Sequence, residues 1–257
     1  MQGYRRSRCR SYGRGINELS FGVLNRAQYP SDVIALVLLW HLRYRLTLRD
    51  LAEMFLLRGI VFSQEAVSDW EAKFAPVLSS ELRQRRRGKG GAGRRSWHVD
   101  ETYLKVRGRW CYLYRAIHRN GDLVDTMLSE HRDMATAKAF FRSARSITGI
   151  DPDKVTTNKH GSYPRASRST LGKRATHRTS ACMNNRLEQD HRGIKGRIRC
   201  VRGLKSFASA ERFCRSYDEL RNHLHPRVRH NQYDPASRRR LLHVRRATAA
   251  LAILQAA

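Results

Sequence analysis

Two carboxylates in this chain stand where they could do chemistry. Asp100 falls in the segment WHVDETYLKV, whose aromatic and β-branched residues read as a strand. A charge in mid-strand is costly unless it meets a cation or hydrogen-bond donors. Period-2 alternation also allows a plainer reading, an exposed position on a half-solvated strand, and it sends Glu101 to the opposite face. Glu188 falls in NNRLEQDHRGIKGRIR, which reads as a helix, with Arg192, Lys195 and Arg199 at i+4, i+7 and i+11 on its face. An acid thus sits within a basic stripe. The plainer reading is a helix start, with Asn185 as N-cap and Glu188 as its capping-box partner. Cys9, Cys111, Cys182, Cys200 and Cys214 are scattered singly, without a CxxC pair or finger-spaced His. That argues against both a zinc site and a secreted disulfide framework.

The elements that would carry these acids belong to a strongly basic chain. Of its 257 residues 51 are Lys or Arg and 22 are Asp or Glu, a formal charge of +29 spread along nearly the whole length. Such an excess suits a polyanion, because neutralising phosphates releases condensed counterions. Nucleic acid is the expected partner. A membrane is not, since no basic amphipathic helix and no apolar run of spanning length is present. The Arg-rich start from Tyr4 to Arg14 lacks a hydrophobic signal core, so the expected setting is the cytoplasm, on the nucleoid.

Residues 1–28 read as a basic flexible arm. In 29–82, Val33, Ile34, Val37, Leu38 and His41 recur at helical spacing, Thr47 caps a second helix, and Ser63 caps a third that Pro76 should end nearby. Three such helices suggest a helix-turn-helix unit, with Gln64, Ser68 and Lys73 as the DNA contacts. Against that placement stand Glu65, Asp69 and Glu71, which phosphates would repel. Residues 83–95, RQRRRGKGGAGRR, read as a basic linker. Beyond it Trp97 to Val106, Trp110 to His118 and Leu123 to Leu128 form a meander, with Asn120-Gly121 as the strongest short hairpin signal in the chain. A helix capped by Asp133, a strand Lys154 to Thr157, a helix Tyr163 to Leu171, a strand Ala175 to Thr179 and a long basic helix complete the order βββαβαβα. The fold expected for 96–225 is α/β with a mixed five-stranded sheet, and 226–257 read as a basic tail whose end is a frayed helix.

The element order is similar to a ribonuclease-H-like core. The segments WHVDETYLKVRGRWCYLYRA, GSYPRA, NNRLEQDHRGIKGRIR and GLKSFASAERF resemble bacterial insertion-sequence DDE transposases of the replicative, cointegrate-forming kind, over roughly residues 30 to 225. The resemblance implies catalytic and metal-binding roles for Asp100 and Glu188, DNA contact by Lys195 beside Arg192 and Arg199, and a third acid after the short strand. It implies two Mg²⁺ or Mn²⁺ ions, one activating a nucleophile and one stabilising the leaving 3′ oxygen. It also implies a homo-oligomer acting on transposon ends and target DNA.

The chain departs from the pattern at the third position, where Thr156-Thr157-Asn158 places an amide. Asn158 could lend one neutral oxygen but not a charge. Asp151 and Asp153 lie at the far end of the strand and are poor substitutes. Ser167 in place of an apolar residue and Cys182 in place of an aromatic add to the picture of a degenerate copy. The expected function is therefore DNA cleavage and strand transfer impaired by Asn158. The alternatives are a DNA-binding remnant that cannot cut, and a packaging protein without an ordered acid cluster.

Overall fold

The computed structural model describes residues 7–8, 15–16, 28–88, 95–158, 160–180, 185–201, 203–225 and 235–256. Within the arm, β1 (Ser7–Arg8) and β2 (Gly15–Ile16) pair antiparallel, and its other residues up to 27 lie outside this description. Helix α1 (Ser31–Arg43) buries Ile34, Val37, Leu38 and His41, as their i, i+3, i+4, i+7 spacing dictates. Helix α2 (Leu48–Leu56) starts at a reciprocal cap. Asp50 N–H donates to Thr47 Oγ1 at 3.0 Å, and Thr47 N–H donates to the Asp50 carboxylate at 2.7 Å. Gly59, at φ 73°, turns the chain toward Ser63, whose Oγ accepts the Ala66 N–H and opens α3.

Helix α3 does not end near Pro76; it runs Gln64–Arg86. Proline removes one N–H and crowds the preceding turn, but tertiary burial outweighs that defect. Leu78 and Leu82 are buried beyond it, the helix packs along α7 (Phe207–Leu224), and Ser216 Oγ donates to the Ala75 carbonyl at 3.0 Å. Arg83 and Arg86, expected in a flexible linker, therefore form the last helical turn. They bind Asp125 and Glu219 at 2.8 and 2.6 Å. Residues 89–94 of that linker lie outside the described residues.

The sheet has the order β5-β4-β3-β6-β7, built from β3 (Ser96–Val106), β4 (Arg109–His118), β5 (Leu123–Ser129), β6 (Lys154–Thr157) and β7 (Thr176–Thr179). The first three pair antiparallel, and β3, β6 and β7 run parallel. Helix α4 (Met134–Thr148) carries the chain from β5 to β6, and α5 (Ser162–Leu171) carries it from β6 to β7. With α6 (Asn185–Cys200) following β7, this is the mixed sheet of a ribonuclease-H-like core, preceded by the helical unit.

One face of the sheet buries Trp97, Val99, Tyr114 and Ala116 against Phe140, Phe141 and Tyr163 of α4 and α5. The other buries Leu104, Val106 and Leu113 in a core shared with α1 to α3, α6, α7 and α8 (Ala236–Gln255). The helical unit and the sheet are thus continuous through α3 and α7. The expected frayed tail is instead helix α8, whose Ala250, Ile253 and Leu254 are buried, because it packs on α1, α3 and α7.

Candidate active site

Asp100 and Glu101 follow one another on β3 and so leave the sheet on opposite faces. Glu101 enters the side covered by α4 and α5. Its side chain is 2% exposed, and its carboxylate accepts from Arg132 Nε at 2.8 Å and also from Arg132 Nη2 and the Tyr163 hydroxyl. Asp100 shares the other face with Leu104 and Val106, toward α6. Strand β6 stops at Thr157, which leaves Asn158 just past its end, beside β3. From there its amide reaches both acids.

Asn158 Nδ2 donates to Asp100 Oδ1 at 2.6 Å and to Glu101 Oε2 at 3.3 Å. Its Oδ1 accepts the His160 backbone N–H at 3.1 Å. The partners fix this orientation: two carboxylates demand a donor and a backbone N–H demands an acceptor, so the flipped amide would lose every bond. The Asp100 carboxyl is pushed up to about 6, first by burial and then by the charge of Glu101. Hydrogen bonds from the Glu101 N–H, at 2.9 Å, and from Asn158 hold it lower than it would otherwise stand. The charge of Glu188, exposed on α6, adds a smaller share to the rise.

The one oxygen of Asn158, expected as a neutral ligand, is therefore bonded to His160, and an N–H group faces Asp100. Among the described residues no group of three His, Cys, Asp or Glu side chains could hold a metal ion. As arranged, the residues do not fit a pair of divalent cations, which require oxygen lone pairs. Asp151 and Asp153 are exposed at the other end of β6 and pair with Arg145 and Arg95. Ser167 is buried, and among the described residues its Oγ has no hydrogen-bond partner. Cys182 lies outside the described residues.

Residues 94–226, just over half of the chain, match the DDE domain family of the IS240 type. The chain belongs to the DDE transposase family. It is 35% identical over 174 residues to the transposase for insertion sequence-like element IS431mec of Staphylococcus aureus, covering 66% of this chain and 75% of that protein. The same identity and coverage hold for the transposase for insertion sequence element IS257 in transposon Tn4003 of Staphylococcus aureus. Among solved structures, the simian T-cell lymphotropic virus intasome complex with the PP2A regulatory subunit B56 gamma aligns at TM-score 0.38 and 12% identity. That alignment covers 59% of this chain and 64% of that one.

In this DDE-family chain, α6 is seated by ion pairs that the sequence did not reveal. Arg115, fully buried on β4, binds Asp218 and lies 3.9 Å from Asp190, which Arg221 also binds. Arg197, expected nowhere as a contact, donates to the carbonyls of His41 and Leu46 and ties α6 to the helical unit. Gly193 lets α6 approach α7, since a Cβ there would lie 2.9 Å from the Tyr217 hydroxyl. Of the basic stripe, Arg192 and Arg199 are exposed and Lys195 is half-buried. The helix begins at Asn185. On α3, Gln64, Ser68 and Lys73 are exposed, whereas Glu71 is buried and bound to Arg212 at 3.1 Å. One of the three acids set against a DNA role for α3 is thus internal. Glu101 is the site residue that sequence reasoning passed over, and its only signal was adjacency to Asp100.

Proposed function

We propose that this chain acts in DNA transposition as a transposon-end-binding protein, and that Asn158 impairs its strand cleavage and transfer. The observation that carries the reading is the Asn158 amide donating to Asp100 at 2.6 Å. Three carboxylates would offset much of the charge of two divalent ions. Two carboxylates and an inward N–H do not. Asp100, Asn158 and Glu188 are the three positions of the acid set, with Mg²⁺ or Mn²⁺ as the cofactor an intact set would take. The helical unit of residues 29–82 supplies end recognition through Gln64, Ser68 and Lys73. The core of 96–225 supplies phosphate contacts through Arg192, Lys195 and Arg199 of α6.

The +29 charge supports DNA as the partner, engaged by a homo-oligomer in the cytoplasm, and the sequence resemblance supports a replicative, cointegrate route. No helix among the described residues is long and apolar enough to cross a membrane. The test is cleavage and joining of the element's terminal DNA with Mn²⁺ by the parent, Asn158→Asp, and Asn158→Asp with Glu188→Gln. The parent binds without cutting, the single variant cuts, and the double variant does not. Efficient cutting by the parent would remove the role given to Asn158.

A further inference from the structure

The face of β3 and β4 that holds Glu101 continues past the cover of α4 and α5 to the hairpin tip. Cross-strand partners on it are Glu101 with Tyr114, Tyr103 with Tyr112, and Lys105 with Trp110. Tyr114 is buried, Tyr112 is half-buried, Tyr103 is 45% exposed and Trp110 is 61% exposed. The outer three rings meet edge to face, with centroids 5.6 Å apart for Tyr103 and Tyr112 and 6.3 Å for Tyr103 and Trp110. Burial does not explain large aromatics left open in this way.

Cations frame the rings. Lys105 Nζ lies 5.8 Å from the Trp110 ring centre, and the Arg132 guanidinium lies 5.6 Å from that of Tyr103 while donating to its hydroxyl at 3.0 Å. The tip itself is Arg107-Gly108, a two-residue turn with φ 47° and 83°. Glycine takes that conformation freely, and an arginine there costs about 1 kcal/mol. Arg107 and Arg109 line a cavity with Cys111 on the other face of the hairpin, so the cations of the aromatic face are Lys105 and Arg132. The neighbouring acid, Glu130, lies across the sheet on the Cys111 side.

We propose that this hairpin face, with Trp110 and Tyr103 at its centre, is a stacking site for unpaired bases of DNA. Aromatic rings framed by Lys and Arg are what a single strand requires, since every base has a π-face and every nucleotide a phosphate. A duplex offers the same phosphates but no free base face. Tyr103 is three residues along β3 from Asp100, about 10 Å, and on the opposite face of the sheet, so a base held there is separated from Asp100 by the strand itself. The proposal rests on the DNA-binding reading above and adds a preference for unpaired nucleotides at a defined surface.

The test uses the full chain with two fluorescent probes, oligothymidylate and a duplex of random sequence. In the parent, oligothymidylate quenches the emission of Trp110, identified as the part lost in Trp110→Phe. Trp110→Ala with Tyr103→Ala lowers oligothymidylate affinity about 10- to 100-fold, the range set by about 1–3 kcal/mol per stacked base. Duplex affinity stays within about twofold, and Trp110→Phe retains most single-strand binding. Equal losses for both probes, or no loss for either, would overturn the stacking site while leaving DNA binding intact. A parent that binds neither probe would overturn the DNA-binding reading itself.

Discussion

Replacing Asn158 by Asp should make the stability of this protein depend on a divalent cation, which the parent's does not. The substitution removes two hydrogen bonds to carboxylates, at 2.6 and 3.3 Å, and puts a third carboxylate in the donor's place. Hydrogen bonds to charged groups are worth about 1.5–3 kcal/mol each, so the loss alone is about 3 kcal/mol at the low end of that range, which the longer of the two bonds favours. Two unit charges about 3 Å apart repel by about 5 kcal/mol at an effective dielectric constant of about 20. Protonation of one acid relieves part of that repulsion, which leaves a net cost of about 3–5 kcal/mol. At about 2–4 °C per kcal/mol for a protein of this size, Asn158→Asp should melt on the order of 10 °C below the parent in chelator. Mn²⁺ at about 100 times its dissociation constant returns about 2.7 kcal/mol to the variant and nothing to the parent. Thermal melts of both proteins with chelator and with Mn²⁺ measure this directly. Equal melting temperatures in chelator, or equal shifts with Mn²⁺, would refute the reasoning.

Three further outcomes follow from the packing and the exposed face of α3. Arg115→Met leaves Asp218 and Asp190 short of a buried partner and should cost about 3–5 kcal/mol, read by denaturant unfolding. Ser167→Ala removes a buried hydroxyl with no partner among the described residues and should stabilise by about 1 kcal/mol; a lower melting temperature would show the hydroxyl to be bonded. Replacing the exposed Gln64, Ser68 and Lys73 together by Ala should erase the preference for the element's end over random duplex without changing the melting temperature. Retained preference in a competition assay would place end recognition elsewhere.

The strands and the order of elements along the chain were legible because they rest on local signals. Alternation marked β3 to β5, Asp133 capped α4, and Lys154–Thr157 stood between turn residues. The continuation of α3 past Pro76 was not legible, because α7, more than 130 residues later, decides it. The same holds for Arg83 and Arg86, which resemble linker charges until Asp125 and Glu219 are brought to them. At the site, Asp100 stood out as a mid-strand charge, and Asn158 became conspicuous only through family resemblance. Alternation correctly put Glu101 on the opposite face. It could not show that β6 ends one residue early enough for the Asn158 amide to bridge both faces.

Mn²⁺ binding shows most directly whether the Asn158 amide N–H takes the place of a cation beside Asp100. Free Mn²⁺, followed by its electron paramagnetic resonance signal, should stay in solution when titrated with the parent. Asn158→Asp should withdraw it, and adding Glu188→Gln to that variant should weaken the withdrawal. Equal stoichiometry and affinity for the parent and Asn158→Asp would show that the amide does not exclude the cation.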